Sequence, residues 1–163
     1  MKRSLLQRWS FETGQPIFSS ACAWGGQHCA DRRNAANCNS TTERVIVFGS
    51  HNHFIYCLSV AGLLKWKFET AGPVYGSPFV FTLGGNALHC NSLYGTNNGV
   101  KDIITDVVGV VCISGQFYLL DLKDGSCIAT FSFPGEVFSS CVFFKNNLFV
   151  GCRNNYAYCL VST

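Results

Sequence analysis

The chain has 163 residues, 48% of them hydrophobic and 13% charged, against about 25% charged in an ordinary globular domain, so it fits one core-bearing domain and much of it must be buried or covered. The net charge of +3 comes from Lys and Arg scattered from Lys2 to Arg153, with one short cluster at Arg32, Arg33 and Arg44. A nucleic-acid partner would need basic side chains gathered on one face with stacking aromatics between them, and a membrane span would need an apolar run of roughly 18 residues; both classes are set aside.

Met1-Lys2-Arg3 has the charge of a secretory leader, but Gln7, Arg8 and Glu12 break up the apolar stretch that should follow. A soluble, cytoplasmic chain is expected. The first element is a strand ending in Trp9-Ser10-Phe11, then a turn at Gly14-Gln15-Pro16 and a short strand through Phe18-Ser19-Ser20. About 25–43 is polar, with Asn34, Asn37 and Asn39, and reads as an inserted surface loop. Val45-Ile46-Val47-Phe48 and Phe54-Ile55-Tyr56-Cys57-Leu58 are two apolar runs around a Gly/Ser/Asn turn, the signature of a hairpin.

The opening element then returns as Leu63-Leu64-Lys65-Trp66-Lys67-Phe68-Glu69-Thr70, followed by Gly72-Pro73. A second insertion covers about 83–105, a second hairpin Val108 to Leu122. The third copy is Phe131-Ser132-Phe133-Pro134-Gly135-Glu136-Val137-Phe138-Ser139-Ser140, with Ala129 at the tryptophan position, and the third hairpin runs Leu148 to Leu160. Phe11, Phe68 and Phe131 therefore correspond. Each repeat holds four antiparallel strands, the plan of a propeller blade. The fold class is all-β, a partial β-propeller of about three four-stranded antiparallel blades, with repeats at about 4–62, 63–125 and 126–163 of a single unit over 1–163.

Ten cysteines are present, none in a Cys-x-x-Cys pair, so common zinc and thioredoxin spacings are missing. Several sit inside strand-like runs, where a free thiol acts as a small hydrophobe. The metal candidates, His28-Cys29 with Cys38, and His51 with His53, lack a second matching pair; His51 and His53 flank Asn52 at a hairpin tip and read as turn residues. Asp121, Asp124 and Gly125 read as a blade turn, and Ser19, Ser20, Ser139 and Ser140 as strand residues without a nucleophile's partners. No catalytic, cofactor-binding or metal residue is assigned, and no cofactor is expected.

The stretches Leu58-Ser59-Val60-Ala61-Gly62-Leu63-Leu64-Lys65-Trp66 and Leu122-Lys123-Asp124-Gly125-Ser126-Cys127-Ile128-Ala129 resemble the strand, Asp/Gly turn and tryptophan strand of pyrroloquinoline-quinone-like propeller repeats. The resemblance covers about 4–24, 45–82 and 107–161. It implies a structural, blade-docking role for Trp9, Phe11, Trp66, Phe68 and Phe131; Ala129 departs from the pattern. Within that group the wording around Phe11 to Ser20 and Pro134 to Ser140 resembles the terminal propeller of an acyl-CoA-synthetase-like enzyme with an adenylation domain and a phosphopantetheine carrier domain. The function this implies is a non-catalytic interaction or scaffold module, part of a multidomain acyl-activating protein whose acid–thiol ligase activity lies elsewhere. Two alternatives are a piece of a quinone-dependent dehydrogenase and a metal or thiol-redox site. The dehydrogenases carry adjacent cysteines and acidic metal ligands; this chain has no adjacent cysteines and nine acidic residues. The expected partner is protein: missing blades of the chain's own, another copy, or a partner domain, with no nucleic acid and no membrane.

Overall fold

The structure, a computed structural model, describes residues 4–25, 43–83, 105–144 and 147–161. The described residues form eleven strands and no helix, in three antiparallel sheets. The first sheet is β1 (Cys22–Trp24), β2 (Val45–Gly49), β3 (Phe54–Ser59) and β4 (Leu64–Glu69). The second is β5 (Phe79–Leu83), β6 (Thr105–Val111), β7 (Gln116–Asp121) and β8 (Cys127–Ser132). The third has β9 (Val142–Phe144), β10 (Asn147–Gly151) and β11 (Ala157–Val161). Within each sheet, consecutive strands pair as neighbours.

Sheets and sequence repeats are one strand out of phase. The Trp66 strand opens the second repeat in sequence, yet it is the outer strand of the first sheet, with Cys57 opposite Trp66. Turn length decides this. Between β3 and β4 the Ser59 N–H donates to the Leu63 carbonyl at 2.9 Å and the Gly62 N–H to the Ser59 carbonyl at 3.0 Å, a turn too tight to leave the sheet. The irregular stretch from Thr70 to Pro78 is what crosses to the next sheet.

The Phe-Ser-Ser motifs also lie ahead of the strands rather than within them, because β1 begins at Cys22 and β9 at Val142. Their serines bond to backbone of neighbouring segments, which competes with ladder formation. The buried Ser19 Oγ accepts from the Gly49 N–H and donates to the Gly49 carbonyl, both at 2.8 Å. Ser139 Oγ donates to the Gly151 carbonyl at 2.9 Å. Between sheets, the Ser20 N–H donates to Ser77 Oγ at 2.9 Å and the Ser77 N–H to Ser140 Oγ at 2.8 Å. Ser19→Ala should therefore cost about 1–3 kcal/mol, the penalty for stranding a buried backbone donor and acceptor. Ser139→Ala, at an exposed position, should cost less; equal denaturation midpoints for the two variants would remove burial as the cause.

Stacking of the sheets explains the apolar composition. On β3, Ile55, Tyr56, Cys57 and Leu58 are all buried, so both faces are covered. β6 divides its side chains by parity: Val108 and Val110 pack toward Val45, Val47 and Ile55 of the first sheet, while Val111 joins Phe133, Val137 and Leu148 on the third-sheet side. β8 differs from its counterpart β4, since all six of its residues are exposed.

Candidate interaction surface

The tryptophan, glycine and phenylalanine positions of the repeats build one recurring contact. Trp66, 8% exposed, leaves the first sheet and donates its indole N–H to the Leu122 carbonyl of the second at 2.9 Å. Its ring lies under Gly125, whose φ of +76° suits glycine and whose missing Cβ would stand 2.7 Å from the indole. Trp9 repeats the contact on the first sheet: its N–H donates to the Val60 carbonyl at 3.0 Å, beneath Gly62. Phe11 stands edge-on to Tyr56 at 5.5 Å and Phe68 edge-on to Tyr118 at 5.3 Å. Burial of its hydroxyl pushes the Tyr118 pKa up. On the third sheet, Phe133 rather than Phe131 meets the matching Tyr158, at 5.4 Å, and Phe131 turns its edge to Phe133 at 5.0 Å.

Phe131 lines an apolar cleft of about 480 Å³ between the second and third sheets. Phe79, Phe81 and Phe131 form one wall, and Phe143, Leu148 and Leu160 the other. Phe81 and Phe143 stack at 4.0 Å across it.

A second surface runs along the end that carries the β2–β3, β6–β7 and β10–β11 hairpins. Phe18 stacks on Tyr75 at 5.0 Å, and Tyr75 meets Phe138 at 5.3 Å, so three equivalent repeat positions form one aromatic row across the sheets. Phe18 is 59% and Phe138 40% exposed. His51 Nε2 lies 3.0 Å from the Tyr75 hydroxyl, and the Arg153 guanidinium sits 5.2 Å over the Phe138 ring while pairing with Glu136 at 2.8 Å. Sequence reasoning missed this row. The available signal was an aromatic at the same place in all three copies.

The other polar candidates serve turns. Asn52 Nδ2 donates to the Thr13 carbonyl at 2.6 Å and to the Tyr56 hydroxyl at 2.7 Å. Asn154 Nδ2 repeats the second bond, to Tyr158 at 2.5 Å. His53 takes a positive φ of 73° at its hairpin tip. Asp121 and Asp124 accept backbone N–H bonds from Lys123 and Ser126, and the Ser126 bonds hold the Asp124 carboxyl below the usual carboxylate range. His28, Cys29 and Cys38 lie outside the described residues. Among the described residues no three His, Cys, Asp or Glu side chains are grouped to hold a metal, and no helix is long and apolar enough to cross a membrane. Cys22, Cys57, Cys112, Cys127, Cys141, Cys152 and Cys159 are free; burial pushes the Cys57 thiol up to about 11 and Cys141 to about 12, which keeps both protonated and unreactive at neutral pH.

No family model matches the chain. It is 37% identical over 123 residues to the beta-alanine-activating enzyme of Homo sapiens, 39% over 123 residues to that of Mus musculus, and 35% over 130 residues to that of Danio rerio. These matches take in 76%, 76% and 79% of this chain, yet the chain spans about a tenth of the length of the relatives it matches, 10% in each case. Among solved structures it is similar to a chain of the crystal structure of BBS1N in complex with ARL6DN, with a TM-score of 0.56 at 13% identity over 94% of this chain and 39% of that one. It is also similar to the WD40 beta propeller domain of Doa1, with a TM-score of 0.50 at 13% identity over 71% of this chain and 32% of that one. At these identities the structural likeness speaks for the fold alone. The three antiparallel sheets are a partial β-propeller, similar in sequence to a stretch of the beta-alanine-activating enzymes.

Proposed function

We propose that the chain is a non-catalytic interaction module, built of pyrroloquinoline-quinone-like repeats and working in the cytoplasm as part of a multidomain acyl-activating enzyme whose ligase chemistry sits in other domains. The observation that carries this reading is the row of Phe18, Tyr75 and Phe138 in the segments that enter the three sheets, with Phe18 and Phe138 exposed and the row flanked by His51 and Arg153. Aromatic and arginine side chains are the usual anchors of protein-binding hot spots. Trp66 and Phe68 act as docking residues between the first and second sheets, Trp9 and Phe11 make the same contacts on the first sheet from the N-terminal segment, and at the third position Phe133 takes the docking place expected of Phe131. BBS1N, of similar fold, is found in complex with ARL6DN, which gives the fold a protein-binding precedent. Seven free thiols among the described residues suit a reducing compartment.

The test is calorimetric titration of the chain with the adenylation and carrier portion of a beta-alanine-activating enzyme. Binding should weaken at least tenfold in Phe18→Ala/Phe138→Ala, with the melting temperature unchanged. Alone with ATP and β-alanine, the chain should give no pyrophosphate exchange. Binding indifferent to the double substitution, or β-alanine-dependent exchange by the chain alone, would overturn the reading.

A further inference from the structure

The interface between the first and second sheets and that between the second and third are built from the same repeat positions, and one of those positions changes sharply in size. At the first interface Trp66, 8% exposed, belongs to one packed cluster with Trp24 and Cys57 of its own sheet and Val80, Val108 and Leu120 of the next. Strand register carries each of these places one sheet onward. Trp66 stands opposite Cys57 as Ala129 stands opposite Leu119. Val80 stands opposite Val108 as Phe143 stands opposite Leu148, and Trp24 opposite Val45 as Phe81 opposite Val107. The second interface therefore sets Phe81, Leu119 and Ala129 against Phe143, Leu148 and Leu160, and all six line the cleft of about 480 Å³. Positions that close into core at one interface stand open at the other.

The cause lies inside the repeats, at position 129. Alanine in place of tryptophan removes a large flat ring, and the neighbouring changes recover only part of its volume. Leu119 and Phe143 are larger than Cys57 and Val80, and Phe143 reaches across to stack on Phe81 at 4.0 Å. Even so, Phe131, the counterpart of Phe68, is 42% exposed, and Ala129 is exposed where Trp66 is buried. An apolar site left by the loss of a large side chain holds water poorly and admits a small aromatic molecule.

The lining selects the ligand. Among the described residues no Asp, Glu, Lys, Arg or His lines the cleft, and its polar side chains are Thr130 and Cys159, so a charged ligand would lose its hydration without gaining a partner. The rings of Phe79, Phe81, Phe131 and Phe143 favour stacked or edge-on contact with another flat ring over contact with an aliphatic one. The volume falls within the roughly 300–1,000 Å³ of small-molecule sites.

We infer that the cleft between the second and third sheets binds a neutral, flat aromatic molecule of two fused rings, seated where the Trp66 indole sits one interface earlier. The chain's own repeat supplies the template for the fit. The site shares no residue with the row of Phe18, Tyr75 and Phe138, so it goes beyond the interaction surface proposed above.

Indole is the probe. Calorimetric titration of the chain with indole should give saturable binding, and cyclohexanol should bind more weakly by roughly threefold or more, for want of ring contacts. Ala129→Trp should weaken indole binding by about tenfold or more, because its own ring fills the place of the ligand in a close-packed interface. Ile128→Trp, one residue along the strand and outside the lining, should leave binding unchanged. Ala129→Leu, a smaller plug, should weaken binding by less, and it decides the matter if Ala129→Trp lacks a cooperative melt. The site is overturned if the unsubstituted chain shows no saturable binding, or if cyclohexanol binds as tightly as indole. It is overturned equally if the plugs at position 129 leave indole binding intact, or if Ile128→Trp abolishes it as they do. Phe18→Ala/Phe138→Ala should keep the affinity for indole, so this site and the interaction surface can fail separately.

Discussion

Trp66→Ala is expected to lower the unfolding free energy by about 3–5 kcal/mol, the usual cost of deleting a buried large aromatic. It removes the ring packed between the first two sheets and leaves the Leu122 carbonyl without its indole donor. For a domain holding roughly 5–15 kcal/mol in all, that is a large share. Trp9→Ala removes the same bond and the same glycine contact, but its ring is 36% exposed and packs against one sheet only among the described residues. Its cost should be clearly smaller than that of Trp66→Ala. Gly125→Ala attacks the contact from the other side, since a methyl group there meets the indole at 2.7 Å. It should cost about 2–4 kcal/mol, from overpacking and from a left-handed backbone without glycine. In the Trp66→Ala background the overpacking disappears and about 1–2 kcal/mol remains. Urea midpoints of the two single variants and the double variant measure this coupling. Strict additivity would mean that Trp66 and Gly125 do not hold each other.

Gly115→Ala is the second large effect, also about 2–4 kcal/mol. Gly115 closes the β6–β7 hairpin with a φ of +81°, and a Cβ there would stand 2.4 Å from the Gly135 carbonyl oxygen and 3.0 Å from that of Phe133. These are backbone atoms of the crossover to the third sheet, tied to the hairpin by the Phe133 N–H bond to the Gly115 carbonyl. They cannot rotate away as a side chain would. Gly14 is the control: its φ is +76°, but nothing lies within 4 Å of its missing Cβ. Gly14→Ala should therefore show the backbone cost alone, about 1–2 kcal/mol. At about 2–4 °C per kcal/mol for a chain of this size, the two variants should melt several degrees apart. Equal melting temperatures would refute crowding at Gly115.

The strands were legible because their signals are local. Val45 to Phe48 and Phe54 to Leu58 announce a hairpin by apolar runs around turn residues, and these became β2 and β3. The serines of Phe-Ser-Ser were read as strand residues, yet Ser19 bonds to Gly49, thirty positions away, and no local pattern reports a bond of that range. Phe131 illustrates a similar limit. Its place in the repeat matches Phe68, but Phe133 meets the tyrosine of the next sheet, a choice made by how the sheets face each other. The aromatic row was hidden for the same reason, since Phe18, Tyr75 and Phe138 are single residues in sequence and meet where three sheets converge.

By itself the sequence determined the all-β class, the threefold repeat and the tryptophan and glycine positions within it, because strand period, turn chemistry and self-similarity are properties of neighbouring residues. Tertiary structure alone decided which strands share a sheet, with Trp66 closing the first sheet rather than opening the second, and where the apolar cleft lies. The physical reason is that pairing and burial are settled between segments far apart in the chain. There, turn length, side-chain volume and the facing sheet outweigh what any one segment prefers.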